Sequence, residues 1–253
     1  MAALIRSFLT MSPVALVTGG AVRLGRALTV GLAKCGHDVV VNYHTSENAA
    51  RDLEAALTEQ GHEILLAQGD ISSQEEVEGI GRAVRERFGR LDVLVNSASS
   101  FVSTPLLEID AEEWDYVLGT NLRGPHLTVR EFAPLLEASS GCVVNIADHL
   151  GLEPRVRYAH HSVAKSALMH LTRIQARALA PEVRVNAVAP GLVLAPEGMD
   201  ETELGTEIEA TLVKRSGTPE DVVRAVLFLV QSPNVTGHTV VVDGGASVAR
   251  ELR

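Results

Sequence analysis

The sequence predicts an α/β fold: a doubly wound, parallel sheet with helices on both faces. Three observations lead there. Apolar, β-branched runs alternate with helix-patterned segments along the 253 residues, as a parallel sheet with crossover helices requires. Several of these runs lack polar/apolar alternation, the mark of strands covered on both faces. The first run ends in a glycine-containing turn that leads straight into a helix. Right-handed crossovers then wind the chain to both sides of the sheet.

Strands are expected at residues 14–17, 39–43, 64–67, 93–96, 142–146, 183–188 and 239–242, and helices at 24–34, 47–60, 74–88, 112–137, 161–180 and 219–230. The last helix has clear start signals: Thr218 as N-cap, Pro219 in the first turn, then Glu220 and Asp221, which suit the positive end of the dipole. No internal repeat or low-complexity linker divides the chain. One domain is expected over residues 12–253, preceded by a loose extension, 1–11, that lacks the small-residue cleavage site of a signal peptide. Residues 192–214, rich in Glu, Gly and Pro, suit a mobile lid.

Composition narrows the partners. The formal net charge is -10 and Lys and Arg form no run, which argues against nucleic acid. Cys35 and Cys142 show neither CxxC nor Cys/His spacing, so neither a metal site nor a disulfide framework is expected, and a reducing cytoplasm is the natural setting. No apolar run reaches the roughly 18 residues of a membrane span.

The chemistry gathers at strand ends. After the first strand comes Thr18-Gly19-Gly20-Ala21-Val22-Arg23-Leu24-Gly25. Gly19 permits a tight turn, Gly25 permits close helix packing, and the helix N-terminus offers N–H groups to a pyrophosphate, the Rossmann arrangement for a dinucleotide; an ordinary strand–helix turn would look similar. The second strand ends in Tyr43-His44-Thr45-Ser46, without the acidic residue that usually holds an NAD ribose; Ser46 alternatively caps the next helix. Asp70-Ile71 follow the third strand, with Asp70 either near an adenine or a plain turn or cap aspartate. The fourth strand runs into Asn96-Ser97-Ala98-Ser99-Ser100-Phe101. Phe101 stands where ligands bind in such sheets, although a loop phenylalanine also serves core packing. Asn121 falls in mid-helix, where Asn is a poor residue. Farther on lie Ala147-Asp148-His149, then Tyr158, His161-Ser162-Val163-Ala164-Lys165, and Pro190-Gly191. His161 and Lys165 are one helical turn apart on one face.

These motifs, from Ser12 to Ser247, resemble the short-chain dehydrogenase/reductase family, and within it most closely the pteridine reductases. TGxxxRxG with Arg23, the Tyr43-His44-x-Ser46 stretch, the Asn-x-Ala-Ser-Ser-Phe run and Asp148 in place of the general family's serine carry the likeness. The resemblance implies NADP (NADPH), held by Gly19, Arg23, Leu24, Gly25, His44, Thr45, Ser46, Asp70, Ile71, Asn96, Ala98, Lys165, Pro190 and Gly191. It implies a pterin or folate substrate at Arg23, Ser99, Phe101, Asp148 and Tyr158, and a homotetramer. Asn121, Asp148, His161 and Lys165 fall at the catalytic positions, with Asn121 expected to bend its helix and hold a relay water. The chain departs from the family at three places: Thr45 replaces an arginine, Ser97 an asparagine, and His161 the tyrosine of Tyr-x-x-x-Lys. The expected function is NADPH-dependent reduction of a pterin or related heterocycle. The alternatives are a carbonyl reductase with another substrate, or a cofactor-binding protein with little catalysis.

Overall fold

The apolar runs form β1 (Val14–Val17), β2 (Asp38–Tyr43), β3 (Ile64–Gln68), β4 (Val93–Asn96), β5 (Cys142–Ile146), β6 (Arg184–Pro190) and β7 (Thr239–Val242). All pair in parallel, in the order β3-β2-β1-β4-β5-β6-β7. The computed structural model describes residues 12–153, 155–196 and 198–252, so the expected extension, 1–11, lies outside the described residues. The helices are α1 (Arg23–Lys34), α2 (Glu47–Thr58), α3 (Gln74–Arg87), α4 (Ala111–Leu118), α5 (Gly124–Ser139), α6 (Ala159–Ala178), α7 (Glu201–Ala210) and α8 (Pro219–Gln231).

The unbroken apolar strands are explained by two cores, one on each face. Ala15, Val17, Val39, Val41 and Val95 pack under Leu28 and Leu32 of α1, Leu53 and Leu57 of α2, and Val226 and Leu229 of α8. Val14, Leu16, Val40, Leu94 and Val143 face the other way, onto Ile80 and Val84 of α3 and Phe132 and Leu136 of α5. The winding direction reverses between β1 and β4, so their carboxyl ends flank a crevice at the switch point.

Two elements differ from expectation. The single helix expected over 112–137 is α4 and α5 joined by a π-helical turn, Gly119–Arg123. Pro125 has no N–H for the carbonyl of Asn121, and the Asn121 side chain donates to the Val117 carbonyl at 2.9 Å; both disturb the regular ladder. The helix is thus interrupted at Asn121 by a π-helical turn. The segment 192–214, expected as a lid, contains α7. Asp200 caps it by accepting from the N–H groups of Thr202 and Glu203 at 2.8 and 2.8 Å, and Glu203 reaches back to Asp200 N. This Asp-x-x-Glu box is a sequence signal that the composition of the lid concealed. No helix among the described residues is long and apolar enough to cross a membrane.

The turn after β1 is set by contact distance. A Cβ on Gly25 would lie 2.0 Å from the Gly19 carbonyl oxygen, and one on Gly19 would lie 2.8 Å from Ala98 Cα. Gly25→Ala must push α1 off the turn. It is expected to lower stability by about 1–3 kcal/mol, read as a lower urea midpoint; a wild-type midpoint would show that α1 can retreat freely.

Candidate active site

A cleft of about 750 Å³ opens over the switch point. At its nucleotide end it is lined by Gly19, Arg23, Leu24, Gly25, His44, Thr45, Ser46, Asp70, Ile71 and Ala98. At the other end stand Ser99, Phe101, Asp148, Tyr158, His161, Lys165, Pro190 and Gly191. The fold thus brings together all but two of the residues singled out in the sequence.

The nucleotide end is built from backbone. Thr18 Oγ1 accepts from Ser97 N at 2.9 Å and Ala98 N at 3.1 Å, tying the β1 turn to the β4 turn. Asn42 accepts from Gly19 N at 3.3 Å and donates to the Ala67 and Gly69 carbonyls at 3.1 and 3.0 Å, joining β2 to both neighbours. Asp70 accepts from Ser72 N at 2.8 Å, and it is Ser73 that caps α3. Ser46 occupies the α2 N-cap without a side-chain cap bond, so its hydroxyl remains available to a ligand. Arg23 has φ 49°, the left-handed region that glycine tolerates best. Its guanidinium crosses the cleft mouth and donates to the Ala195 carbonyl at 3.0 Å.

At the chemical end, Lys165 is buried and donates to the Ile146 carbonyl at 2.8 Å. Burial pulls its pKa down to about 8, against the pull of Asp148. His161, one turn before it, is 1% exposed. Its Nδ1 is 3.2 Å from the Ser100 carbonyl oxygen and its Nε2 is 3.3 Å from Asp148 Oδ2. Burial holds this imidazole below its ordinary pKa, and the Lys165 ammonium adds to that, against the hydrogen bond to Asp148. Burial also pushes the Asp148 carboxyl upward, but hydrogen bonds from His149 and His161 outweigh it and hold the acid below the usual carboxylate range. Phe101 stacks on Tyr158 at 4.5 Å and meets the His161 ring edge-on at 4.7 Å. Tyr158 stands at the N-cap of α6, not within it, and a short parallel bridge to Thr104 fixes it beside the Phe101 loop.

Asn96 and Asn121 are the exceptions, absent from the cleft wall. Asn96 is buried: its amide donates to Asn145 Oδ1 at 2.9 Å and its oxygen accepts from Thr128 at 2.7 Å. Its side chain therefore braces β4 against β5 and α5, in place of the expected cofactor contact. Asn121 donates to Ser100 O, Ser100 Oγ and Val117 O and accepts from Ser99 Oγ. Its side-chain polar atoms are thus occupied in holding the Ser99–Ser100 turn and bonding the Val117 carbonyl. Sequence reasoning passed over His149, Arg155 and the lid residues Met199 and Glu207, which also line the cleft. Arg155 and Glu207 form a two-pronged ion pair at 3.0 and 3.0 Å between the loop after β5 and α7. Only the α7 capping box hinted that the lid presents an ordered wall. Among the described residues no His/Cys/Asp/Glu cluster is arranged for a metal ion.

A glycine turn at the switch point, open on one side to a buried lysine and an acid–imidazole pair, defines a dinucleotide-binding α/β oxidoreductase. The sequence profile of a family described as Enoyl-(Acyl carrier protein) reductase matches residues 20–247. The chain is 35% identical over 237 residues to a 3-oxoacyl-[acyl-carrier-protein] reductase of Synechocystis sp., covering 92% of this chain and 96% of that protein. It is 31% identical over 241 residues to the 3-oxoacyl-[acyl-carrier-protein] reductase of Staphylococcus epidermidis, covering 93% and 99%. A crystal structure from Burkholderia xenovorans, assigned to the short-chain dehydrogenases/reductases, superposes with a TM-score of 0.87 at 29% identity, covering 94% of this chain and 98% of that one. The chain belongs to the short-chain dehydrogenase/reductase family. The relatives named here are acyl-carrier-protein reductases, not pteridine reductases.

Asn121→Ala leaves the Ser99 hydroxyl and the Ser100 carbonyl without their buried partner. A loss of about 1–3 kcal/mol is expected, measured by urea denaturation; an unchanged midpoint would mean that the turn holds itself.

Proposed function

We propose that the chain is an NADPH-dependent reductase of a pterin, folate or related flat heterocycle. The observation that carries this is the convergence of Phe101, Tyr158 and Asp148 in the cleft above Lys165, with Arg23 at its mouth. Phe101 keeps 41% of its surface exposed although Tyr158 stacks on it, so a planar ligand still has aromatic surface to cover. The close-packed glycine turn suits a pyrophosphate. Arg23, His44, Thr45 and Ser46 would receive a 2′-phosphate, with no carboxylate at the end of β2 to repel it. Lys165 and the Pro190-Gly191 turn would hold the nicotinamide half. NADPH bound there would supply the hydride for an electrophilic ring carbon.

The proton is the chain's own task. Both nitrogens of His161 face acceptors, and a neutral imidazole has one N–H for two of them. Taking up a second proton satisfies both, while burial and Lys165 oppose it. Asp148, with 24% of its side chain exposed against 1% for His161, is the member open to the cleft. In the productive state the imidazolium of His161 passes its Nε2 proton to Asp148, and Asp148 hands it to the substrate nitrogen as the hydride arrives. The pair ends one proton poorer, as neutral His161 and carboxylate.

A second reading has a specific observation in its favour. The curated relatives above are named as 3-oxoacyl-[acyl-carrier-protein] reductases, so a 3-oxoacyl thioester is the competing substrate. The deciding experiment follows NADPH oxidation with a dihydropterin, a dihydrofolate and a 3-oxoacyl thioester side by side. Faster turnover of the thioester would overturn the heterocycle reading. NADPH binding without turnover of any would leave a cofactor-binding protein. The proposal includes a cytoplasmic homotetramer. Both cysteines are free, and Val163 and Ile174 of α6 and Phe228 of α8 are half exposed, as covered helix faces of an assembly would be.

Three outcomes are expected. Fluorescence titration should show NADPH binding at least about tenfold, or 1.4 kcal/mol, tighter than NADH; equal or tighter NADH binding would refute the 2′-phosphate site. Phe101→Ala should weaken dihydropterin binding by roughly 1–3 kcal/mol, whereas unchanged affinity would place the ring elsewhere. The rate should rise as pH falls from about 8 to about 5, because the acting form is the protonated imidazole. A flat profile, or a His161→Ala variant that keeps full activity, would remove the imidazole from the proton path.

A further inference from the structure

We propose that His149 is a second proton carrier for this site, passing its proton across the Asp148 carboxylate to His161. The inference rests on the acid–base reading just given. Asp148 bridges two imidazoles: its Oδ1 is 3.1 Å from His149 Nδ1 and its Oδ2 is 3.3 Å from His161 Nε2. The His149 Nδ1 is also 3.2 Å from the Pro190 carbonyl oxygen, at the end of β6. A carbonyl and a carboxylate can only accept, so this nitrogen carries a hydrogen. The His149 ring lines the cleft, and among the described residues its Nε2 has no hydrogen-bond partner, leaving a route to cleft water. The array is therefore water, His149, Asp148, His161, with the carboxylate as a two-sided bridge.

The two rings differ in their hold on a proton. For His149, burial pulls the pKa down, but the hydrogen bond and charge of Asp148 and the Pro190 carbonyl raise it above its ordinary value, against the Arg155 guanidinium. Asp243, beyond β7, senses the His149 charge as well, and Glu207 pairs with Arg155. His161 has the opposite bias, from burial and Lys165. A proton shared by the cluster is therefore held more tightly at His149 than at His161. Before each turnover the His149 Nδ1–H proton crosses Asp148 to make the His161 imidazolium; the substrate then takes that proton at Asp148, leaving His161 neutral, and cleft water returns one proton to neutral His149 after product leaves. His149 touches neither substrate nor cofactor in this scheme and acts as a positioning and reservoir residue.

The test has two arms. Histidine proton NMR on the full chain without substrate reads the bridge directly. Two coupled titrations are expected, the higher belonging to His149, and Asp148→Asn should lower both, His149 from above its ordinary value and His161 further below it. Titrations that ignore Asp148→Asn would overturn the proposal. In the kinetic arm, His149→Gln keeps a side-chain N–H for Asp148 but carries no transferable proton. Its kcat should fall about tenfold at about pH 7.5 and recover at acid pH, a limb displaced by about one unit, with KM and NADPH affinity unchanged. A fall uniform across pH, or a change confined to KM, would assign His149 a packing role and overturn the relay. If wild type turns over none of the substrates, the functional reading fails while the NMR arm still decides the bridge.

Discussion

The close contact between the β1 turn, the start of α1 and the β4 turn is the constraint on which the rest depends. With no Cβ at Gly25, the helix sits against the Gly19 carbonyl, and with none at Gly19 the turn sits against Ala98. Thr18 then pins the β4 turn in place through two backbone N–H groups. That turn carries Ser99, Ser100 and Phe101. The Ser100 carbonyl faces His161, so the placement of the imidazole follows from the packing of a helix about 130 residues earlier in the chain. The π-helical turn serves the same chain of contacts from the other side, because Asn121 holds the Ser99–Ser100 segment from beneath.

The electrostatic design follows from burial. An ammonium and an imidazole, both buried, share a cleft wall with a carboxylate, where charges interact more strongly than in solvent. A phenol in place of His161 would add no charge in its acid form. Imidazole does, and its charge competes with Lys165 for the one carboxylate nearby. The fold accommodates this by giving Asp148 a second imidazole. A histidine at this position is thus coherent with its surroundings, because Asp148 lies within reach of both rings.

The sheet was legible in the sequence because parallel strands covered on both faces need continuous β-branched runs. Thr218-Pro219 and the glycine turn marked their elements through local chemistry alone. Most of the cleft wall was legible for a related reason: in a doubly wound sheet the functional residues cluster at strand ends. Legibility stopped where side chains act at a distance. Asn96 follows its motif in sequence, but the pleat turns its side chain toward Asn145 and Thr128. Asn121 sits in the π-helical turn, and its side-chain polar atoms are matched by Val117, Ser99 and Ser100. His149 was hidden because nothing in an Asp-His dipeptide says that both its own carboxylate neighbour and a carbonyl from β6 will meet the same ring nitrogen.

The lid is tied at two places, Arg23 to the Ala195 carbonyl and Arg155 to Glu207. The side chains of the second pair are each 30% exposed, and partly wet ion pairs contribute only about 0–1 kcal/mol. Its ionic part therefore favours the tied arrangement by no more than about fivefold, and mobile ions screen even that. The segment 192–214 is thus held over the cleft by contacts that solvent can replace at almost no cost.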